Sequence, residues 1–223
     1  MKRFVWVILF LFLFLAALGH YLIGEYRLRD NFNKTREKLM LIASNAALSI
    51  DAAALLKVPL VQSAEATSPE YEVIYQKLVK IKKANPLVKY AYTMVATEQP
   101  GILQYVVDAN PAPEIITARC PTSLPGDKYD AREIPEMMNA YYKPSADKTI
   151  TTDVWGIFIS GYAPIRDSTG KAVAILGVDT DATLMQITQK RVKERLDKVS
   201  ITGILFLLSF ATLIRFHIGR KKS

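Results

Sequence analysis

The sequence predicts an α+β domain with a long N-terminal helix and an antiparallel sheet of about five strands, flanked by two transmembrane helices. Three observations support this prediction. Long uncharged runs lie near both ends of the 223-residue chain. A helical pattern without Pro or Gly follows the first run, between Arg27 and Leu56. Segments rich in β-branched and aromatic residues, separated by turn signals, fill the second half.

The first uncharged run, Phe4 to Gly24, contains no Asp, Glu, Lys or Arg. As a helix it would be about 31 Å long, enough to cross a bilayer. A cleaved signal peptide is the rival interpretation, but the run is longer than the apolar core of such peptides, which favours an uncleaved anchor. A second span covers residues 199–218 if Arg215 extends its charge to the lipid headgroups.

The net charge of +8 lies mainly at the edges of these spans. The positive-inside rule therefore predicts a two-pass membrane protein with both termini in the cytoplasm. No aromatic or Arg-rich surface accompanies the basic tail, so a nucleic-acid partner is not expected. The predicted layout is a cytoplasmic start at 1–3, a span at 4–24, an extracytoplasmic domain at 25–198, a span at 199–218 and a tail at 219–223.

The helix predicted from Arg27 to Leu56 has apolar residues spaced by seven. Its apolar face packs either on the sheet of the same chain or on a second copy, which would make a homodimer. The pair Ser68-Pro69 predicts the start of a shorter helix over Glu70–Lys83. The heptad positions are Phe32, Leu39, Ala46 and Ala53.

The strand signals begin with two segments that form a hairpin, 88–97 and 102–109, joined by a turn with Pro100-Gly101. Residues 110–131 contain four prolines and read as an irregular segment, and 132–142 as a short helix. A second strand set is predicted at 148–155, 156–166 and 171–180. Asp181 then caps a charged helix that leads into the second span.

The segments YEVIYQKLVKIKKANPLVKYAYTMVA, ILQYVVDAN, PGDKYD and TTDVWGIFISGYAPIRDSTGKAVAILGVDTDA, in this order, resemble the extracytoplasmic PAS-like sensor domain called single Cache or PDC. The block from Trp155 through Tyr162 to Asp179 is the most specific part. Such domains lie between two membrane spans in histidine kinases, diguanylate cyclases and chemoreceptors. The family usually continues into an output domain after the second span, whereas this sequence stops at Ser223, so the output is expected on another protein unless the chain is a truncated receptor.

The resemblance implies a small-molecule cavity on the sheet face under residues 110–145. Alternation along the strands places Tyr92, Tyr162 and Asp179 on shared faces. Aromatic rings beside a carboxylate suit an amine-bearing ligand, whereas Arg119 would instead recruit a carboxylate group of the ligand. The candidate ligand-binding residues are Tyr92, Asp108, Arg119, Trp155, Tyr162 and Asp179.

Each candidate also has a purely structural interpretation. Aromatic residues in strands commonly serve packing, as Trp155 and Tyr162 would here. Asp108 precedes Ala-Asn-Pro and is equally suited to cap a turn. Asp179 and Asp181 make a poor metal cage without further ligands, so no metal or other cofactor is expected.

Catalytic chemistry finds little support in the predicted outer domain. The two histidines, His20 and His217, belong to the predicted spans or their edges, which excludes imidazole-based catalysis in this domain. Cys120 is the only cysteine, so neither an internal disulfide nor a Cys-His dyad is expected. The sequence therefore predicts a non-catalytic sensor that signals through its membrane helices. The alternative is a structural or assembly protein in which the same fold offers only a protein-binding surface.

Overall fold

The computed structural model describes residues 2–61, 68–109, 123–153, 155–195, 197–198, 203 and 212. By its internal contacts the chain divides into two compact units, Met1–Asn31 with Leu184–Ser223, and Phe32–Thr183. The second unit contains the whole described sheet and is the domain that concerns the site. It begins within the long N-terminal helix.

Helix α1 runs over Lys2–Ala47. Its stretch Leu11–Ala47 is the one helix, within the part of the chain that the structure describes, whose length and composition would allow it to cross a membrane. The predicted first span lies within α1. The predicted second span falls almost entirely outside the described residues, so its prediction stands as made.

The long helix ends earlier than the sequence predicts. α1 stops at Ala47, and a separate helix α2 covers Ala52–Leu55. Asp51 is the reason for the interruption, because its extended backbone and its carboxylate cap α2 by accepting from the main-chain N–H groups of Ala53 and Ala54. The predicted single helix to Leu56 is therefore wrong at its C-terminal end.

Helix α3 covers Pro69–Ala84, in agreement with the predicted start at Ser68-Pro69. The Ser68 hydroxyl oxygen accepts from the Tyr71 N–H at 3.1 Å. Ile74 and Leu78 on its inner face are fully buried. The helix therefore packs through one apolar face, as its pattern predicts.

Within the described residues the sheet has seven antiparallel strands, in the spatial order β3-β2-β1-β7-β6-β4, with β5 also paired to β6. Its long members match the predicted strands closely. The strands are β1 Tyr90–Ala96, β2 Ile102–Asp108, β3 Lys128–Asp130, β4 Ser145–Ala146, β5 Thr151–Asp153, β6 Gly156–Arg166 and β7 Ala172–Asp181.

Three predictions in the middle of the chain need correction. The sheet gains β3, which pairs with β2 inside the segment predicted as irregular, and β4, which pairs with β6 in residues for which no element was predicted. The predicted strand 148–155 is shorter, since β5 ends at Asp153 and Trp155 lies in the turn to β6. The predicted helix 132–142 is reduced to α4, Pro135–Asn139, because Pro135 fixes its first turn.

One face of the sheet packs on α1. At the closest approach, a Cβ added at Gly161 of β6 would lie 2.5 Å from the Leu39 carbonyl carbon. Leu39 and Ala43 of the helix are fully buried. Only a glycine allows the two backbones to approach this closely.

The other face carries the second layer of the core, with α4 above it. Met94 of β1, Ile175 of β7 and Met137 of α4 belong to this buried cluster. After β7, residues 183–195 are helical, and the Asp181 carboxylate accepts from the Thr183 N–H at 2.8 Å, which agrees with the predicted cap. The candidate site lies on this second face.

Candidate functional site: an aromatic and acidic cavity

A cavity opens on the sheet face that α1 does not cover. Its volume is about 40 Å³, measured over the positions available to the centre of a water molecule, which is room for a few water molecules. A compact ligand therefore suits it. The lining residues used below, which define the cavity, are Tyr92, Tyr105, Asp108, Ser123, Tyr129, Asp153, Trp155, Ser160, Tyr162 and Asp179.

The strand register brings the floor of the cavity together. Tyr92 of β1 and Tyr162 of β6 both lie opposite Gly177 of β7. Ser160 of β6 lies opposite Asp179, two residues further along β7. Because side chains alternate between faces along a strand, these residues all point into the cavity.

Asp179 is a buried carboxylate at this floor. The Tyr92 hydroxyl donates to its Oδ1 at 3.1 Å. Burial raises the pKa of Asp179 to about 8, with hydrogen bonds from Ser160 and Tyr92 opposing the rise and the nearby Asp147 adding to it. Asp179 therefore retains its proton at neutral pH in this environment, and a cation that pairs with it would favour the ionised form, with the proton released to solvent.

The two tyrosines of the floor remain neutral donors. Burial, followed by the charge of Asp179, raises the pKa of Tyr92 well above 10.0. Burial, followed by the charge of Asp147, does the same for the pKa of Tyr162. Their hydroxyl groups can thus donate to carboxylates or ligand acceptors throughout the physiological range.

Asp108 ends β2 at the edge of the cavity and is 5% exposed. Its Oδ2 accepts from the main-chain N–H of Ser123 at 3.0 Å. The carboxylate thus holds the backbone at Ser123 and also lines the cavity, whereas the predicted cap of the Ala-Asn-Pro turn falls outside the described residues. The two roles are compatible because a carboxylate offers about four acceptor sites.

Three rings form one wall of the cavity. The Tyr105 and Trp155 ring centroids are 6.3 Å apart, and those of Tyr129 and Trp155 are 6.2 Å apart. Tyr105 and Tyr129 meet edge to face at 6.3 Å. Such a cluster offers π faces, which attract cations, and edges, which pack on alkyl groups.

Asp153 holds the turn that presents Trp155. Its Oδ1 accepts from the N–H groups of Trp155 at 2.9 Å and Gly156 at 3.2 Å. Gly156 has a φ of 143°, a conformation that favours glycine, and a Cβ there would also collide with the Phe158 ring. Partial burial raises the pKa of the Asp153 carboxyl.

The electrostatic character of the cavity is acidic. Asp108, Asp153 and Asp179 line it, and none of its lining residues, in the ranges that the structure describes, is a Lys or Arg. No group of three His, Cys, Asp or Glu side chains arranged to hold a metal ion occurs among the described residues. The arrangement can offer hydrogen-bond acceptors and aromatic faces to a positively charged group.

The structure brings most of the predicted site residues together. Tyr92, Asp108, Trp155, Tyr162 and Asp179 all line this one cavity, whereas Arg119 lies outside the described residues. Their role in ligand binding stays a prediction. Asp181 points elsewhere, to a 2.9 Å ion pair with Lys89.

Sequence reasoning missed several members of the cavity. Tyr105 shares the period-two pattern of β2 and could have been found from it. Tyr129 lies in a three-residue strand that carries no pattern of its own. Asp153 precedes a Val-Trp-Gly turn, and its position two residues before Trp155 was the available signal.

Comparison with known proteins gives matches among solved structures only. No family model matches the sequence, and no curated protein matches it significantly. The sensor domain of the V. cholerae histidine kinase DctB aligns with a TM-score of 0.51 at 13% identity, covering 78% of this chain and 59% of that chain.

Two further sensor domains align with lower scores. The ligand-binding domain of the Campylobacter jejuni chemoreceptor Tlp3, in complex with 4-methylisoleucine, has a TM-score of 0.46 at 13% identity, with 75% of this chain and 58% of that chain covered. The E. coli DcuS sensor domain has a TM-score of 0.42 at 13% identity, with 71% of this chain and 96% of that chain covered.

This chain spans 58% of the Tlp3 domain and 59% of the DctB domain. The alignment with DctB concerns the fold, since identity is low. A long N-terminal helix and an antiparallel sheet are the architecture expected from the resemblance in the sequence. The predicted α+β fold with a long N-terminal helix and an antiparallel sheet is confirmed, and the chain has the fold of the DctB sensor domain.

Proposed function

We propose that this protein is a membrane-anchored extracytoplasmic sensor that binds a compact, amine-bearing molecule and signals through its membrane helices. The observation that carries the proposal is the cavity lining. It combines the three-ring wall of Tyr105, Tyr129 and Trp155 with carboxylates at Asp108, Asp153 and Asp179. A ligand ammonium group would pair with Asp179 and lie against the rings, while Tyr92 and Tyr162 would orient it.

The proposed topology is the one predicted from the sequence. Residues 4–24 and 199–218 cross the bacterial plasma membrane, residues 25–198 lie outside, and 1–3 and 219–223 lie in the cytoplasm. The apolar stretch within α1 supports the first crossing. Ligand binding would shift the outer helices and pass this shift to an output component such as a histidine kinase, diguanylate cyclase or chemoreceptor.

The proposal includes a homodimer, whose interface uses residues other than the predicted heptad. Leu39 and Ala46, which belong to the predicted heptad, are buried within the domain, so packing within the chain already accounts for them. Leu41 on α1 and Leu48 directly after its end are 59% and 87% exposed. These two leucines would contact the second copy.

The experiment is a thermal-stability screen of the full-length chain in mild detergent. Matched probes are L-norvaline, butylamine, which lacks the carboxylate, and pentanoate, which lacks the amine. A ligand at 100 times its Kd stabilises the folded state by about 2.7 kcal/mol. We expect compounds with the amine to raise the melting temperature and pentanoate to leave it unchanged.

Asp179→Ala and the surface variant Asp181→Ala form the control pair. Stabilisation by amines should disappear in the first variant and persist in the second. If these probes and a broader set of amines, amino acids and organic acids leave the melting temperature unchanged, the sensor proposal is wrong. The protein-binding alternative would then be preferred.

A further inference from the structure

A buried aspartate, Asp147, lies directly behind the cavity floor and is not one of its lining residues. It is 2% exposed. Its Oδ1 accepts from the Tyr162 hydroxyl at 2.9 Å, and its Oδ2 accepts from the Ser160 N–H at 2.9 Å. The carboxylate of Asp147 therefore fixes two residues that face the ligand space.

The main chain of the same residue is tied to α1. The Arg36 guanidinium donates through Nε to the Asp147 carbonyl oxygen and through Nη2 to the Ala146 carbonyl oxygen at 3.0 Å. Arg36 lies 111 residues before Asp147 in the sequence. One short segment thus contacts the cavity through a side chain and α1 through its backbone.

The surrounding pairing makes this segment stiff. β4 pairs with β6 through Ser145 opposite Tyr162 and Ala146 opposite Gly161. Gly161 is also the point where β6 meets Leu39 of α1. A displacement of Tyr162 therefore cannot be absorbed by a loose loop before it reaches the helix.

We propose that Asp147 is a positioning residue that couples the cavity to α1 through Tyr162 on one side and Arg36 on the other. This inference rests on the proposed function, because it names the route by which an occupied cavity would act on the helix. When a ligand draws the Tyr162 hydroxyl away, Asp147 loses a donor in a buried site. The segment must then adjust its position, and with it the carbonyl groups that hold Arg36.

The test needs no ligand, so its outcome is separate from that of the metabolite screen. Full-length protein carrying Trp6→Phe leaves Trp155, at the cavity, as the sole tryptophan of the original two. Arg36→Met, Tyr162→Phe and their combination form a double-mutant cycle in this background. Urea unfolding is followed by Trp155 fluorescence.

Independent sites would give unfolding constants whose changes multiply within about twofold. We expect the double variant to depart from the product of the single effects by at least about threefold. The same cycle with Lys38→Met, an exposed residue of α1, should multiply. In an Asp147→Ala background, which removes the acceptor for the Tyr162 hydroxyl, the coupling between Arg36 and Tyr162 should fall below about twofold.

A second measurement uses the folded state. Arg36→Met should change acrylamide quenching of Trp155, whereas Lys38→Met should not, because only Arg36 is joined to the cavity wall. Multiplicative effects in the Arg36 and Tyr162 cycle, or unchanged quenching in Arg36→Met, would overturn the role of Asp147.

Discussion

A single carboxylate dominates the electrostatics of the cavity floor. Asp179 is buried, and its pKa is raised to about 8, first by burial. The unfolded chain releases this proton near pH 4, whereas the folded chain retains it up to about pH 8. Stability therefore falls as the pH rises through this window. A bound cation would remove the cost by pairing with the ionised form.

Asp179→Asn should stabilise the protein more at pH 8 than at pH 5. The amide keeps an oxygen for the Tyr92 hydroxyl but has no proton to lose. Each unit of pKa difference corresponds to about 1.4 kcal/mol, so we expect the stability gain to grow by an amount on the order of 3 kcal/mol between these pH values. Urea unfolding of the full-length chain at both pH values measures it.

Asp181→Asn is the matched control on the same strand. Hydrogen bonds donated first by Thr183 and then by Lys89 lower the pKa of Asp181 to about 2. Its stabilising effect is complete above about pH 4 and is lost only as the pH falls toward 2. Its stability difference from the original protein should be the same at pH 5 and pH 8. A gain in Asp179→Asn that does not depend on pH would contradict the buried-proton explanation.

The role of a residue could be predicted when it followed from a local sequence pattern, and was missed when it depended on partners far away in the chain. Tyr162 and Asp179 were found because strand alternation is a local pattern. Asp147 was missed because its role depends on Tyr162, 15 residues later, and on Arg36, 111 residues earlier. No local spacing encodes such contacts.

At the scale of elements, the long strands were predictable, whereas the short strands β3 and β4 were not. β1, β2, β6 and β7 carry repeated apolar and β-branched residues over seven residues or more. β3 and β4 contain three and two residues, so no period can show. They are strands because β2 and β6 supply hydrogen-bond partners, which is a property of the assembled sheet.

The end of α1 was misjudged for a similar reason. Residues 48–51 contain neither Pro nor Gly, so the helical pattern shows no break there. The break follows from Asp51, whose side chain competes for main-chain N–H groups and starts a new helix. In the sequence, the only sign of this helix break was Asp51, a residue type that caps helices, within an otherwise apolar pattern.

Gly161→Ala should weaken the packing of α1 on the sheet. The added Cβ would lie 2.5 Å from the Leu39 carbonyl carbon and 2.7 Å from its oxygen. Both are backbone atoms, so the helix must move, and we expect a loss of about 1–3 kcal/mol in unfolding free energy. Urea unfolding measures the loss.

Gly24→Ala is the control, because a Cβ at that helical position meets nothing within 4 Å. Alanine favours a helix by about 1 kcal/mol over glycine, so this variant should be neutral or more stable. Equal stability of Gly161→Ala and the original protein would show that the contact between β6 and α1 is looser than described.

At the scale of the whole molecule, the proposed topology predicts which positions face the cell exterior. In a Cys120→Ser background, Glu98→Cys places a thiol at an exposed position of the turn between β1 and β2. Ser223→Cys places one at the end of the sequence. A membrane-impermeant maleimide should label Glu98→Cys in intact spheroplasts and Ser223→Cys only after lysis.

The Cys120→Ser parent should remain unlabelled in both conditions. Labelling of Ser223→Cys in intact spheroplasts, or protection of Glu98→Cys, would reverse or remove the proposed two-pass arrangement. The positive-inside argument from the sequence would then fail with it.

The order of the strands in the sheet determines when the sheet can be completed during translation. β7, the last strand to leave the ribosome, lies between β1 and β6. The meander of β1 to β3 and the group of β4 to β6 therefore have no central partner until nascent chain up to Asp181 has emerged. Until that moment the edges that β7 will occupy are open to mispairing, so the sheet can close only after most of the chain has been synthesised.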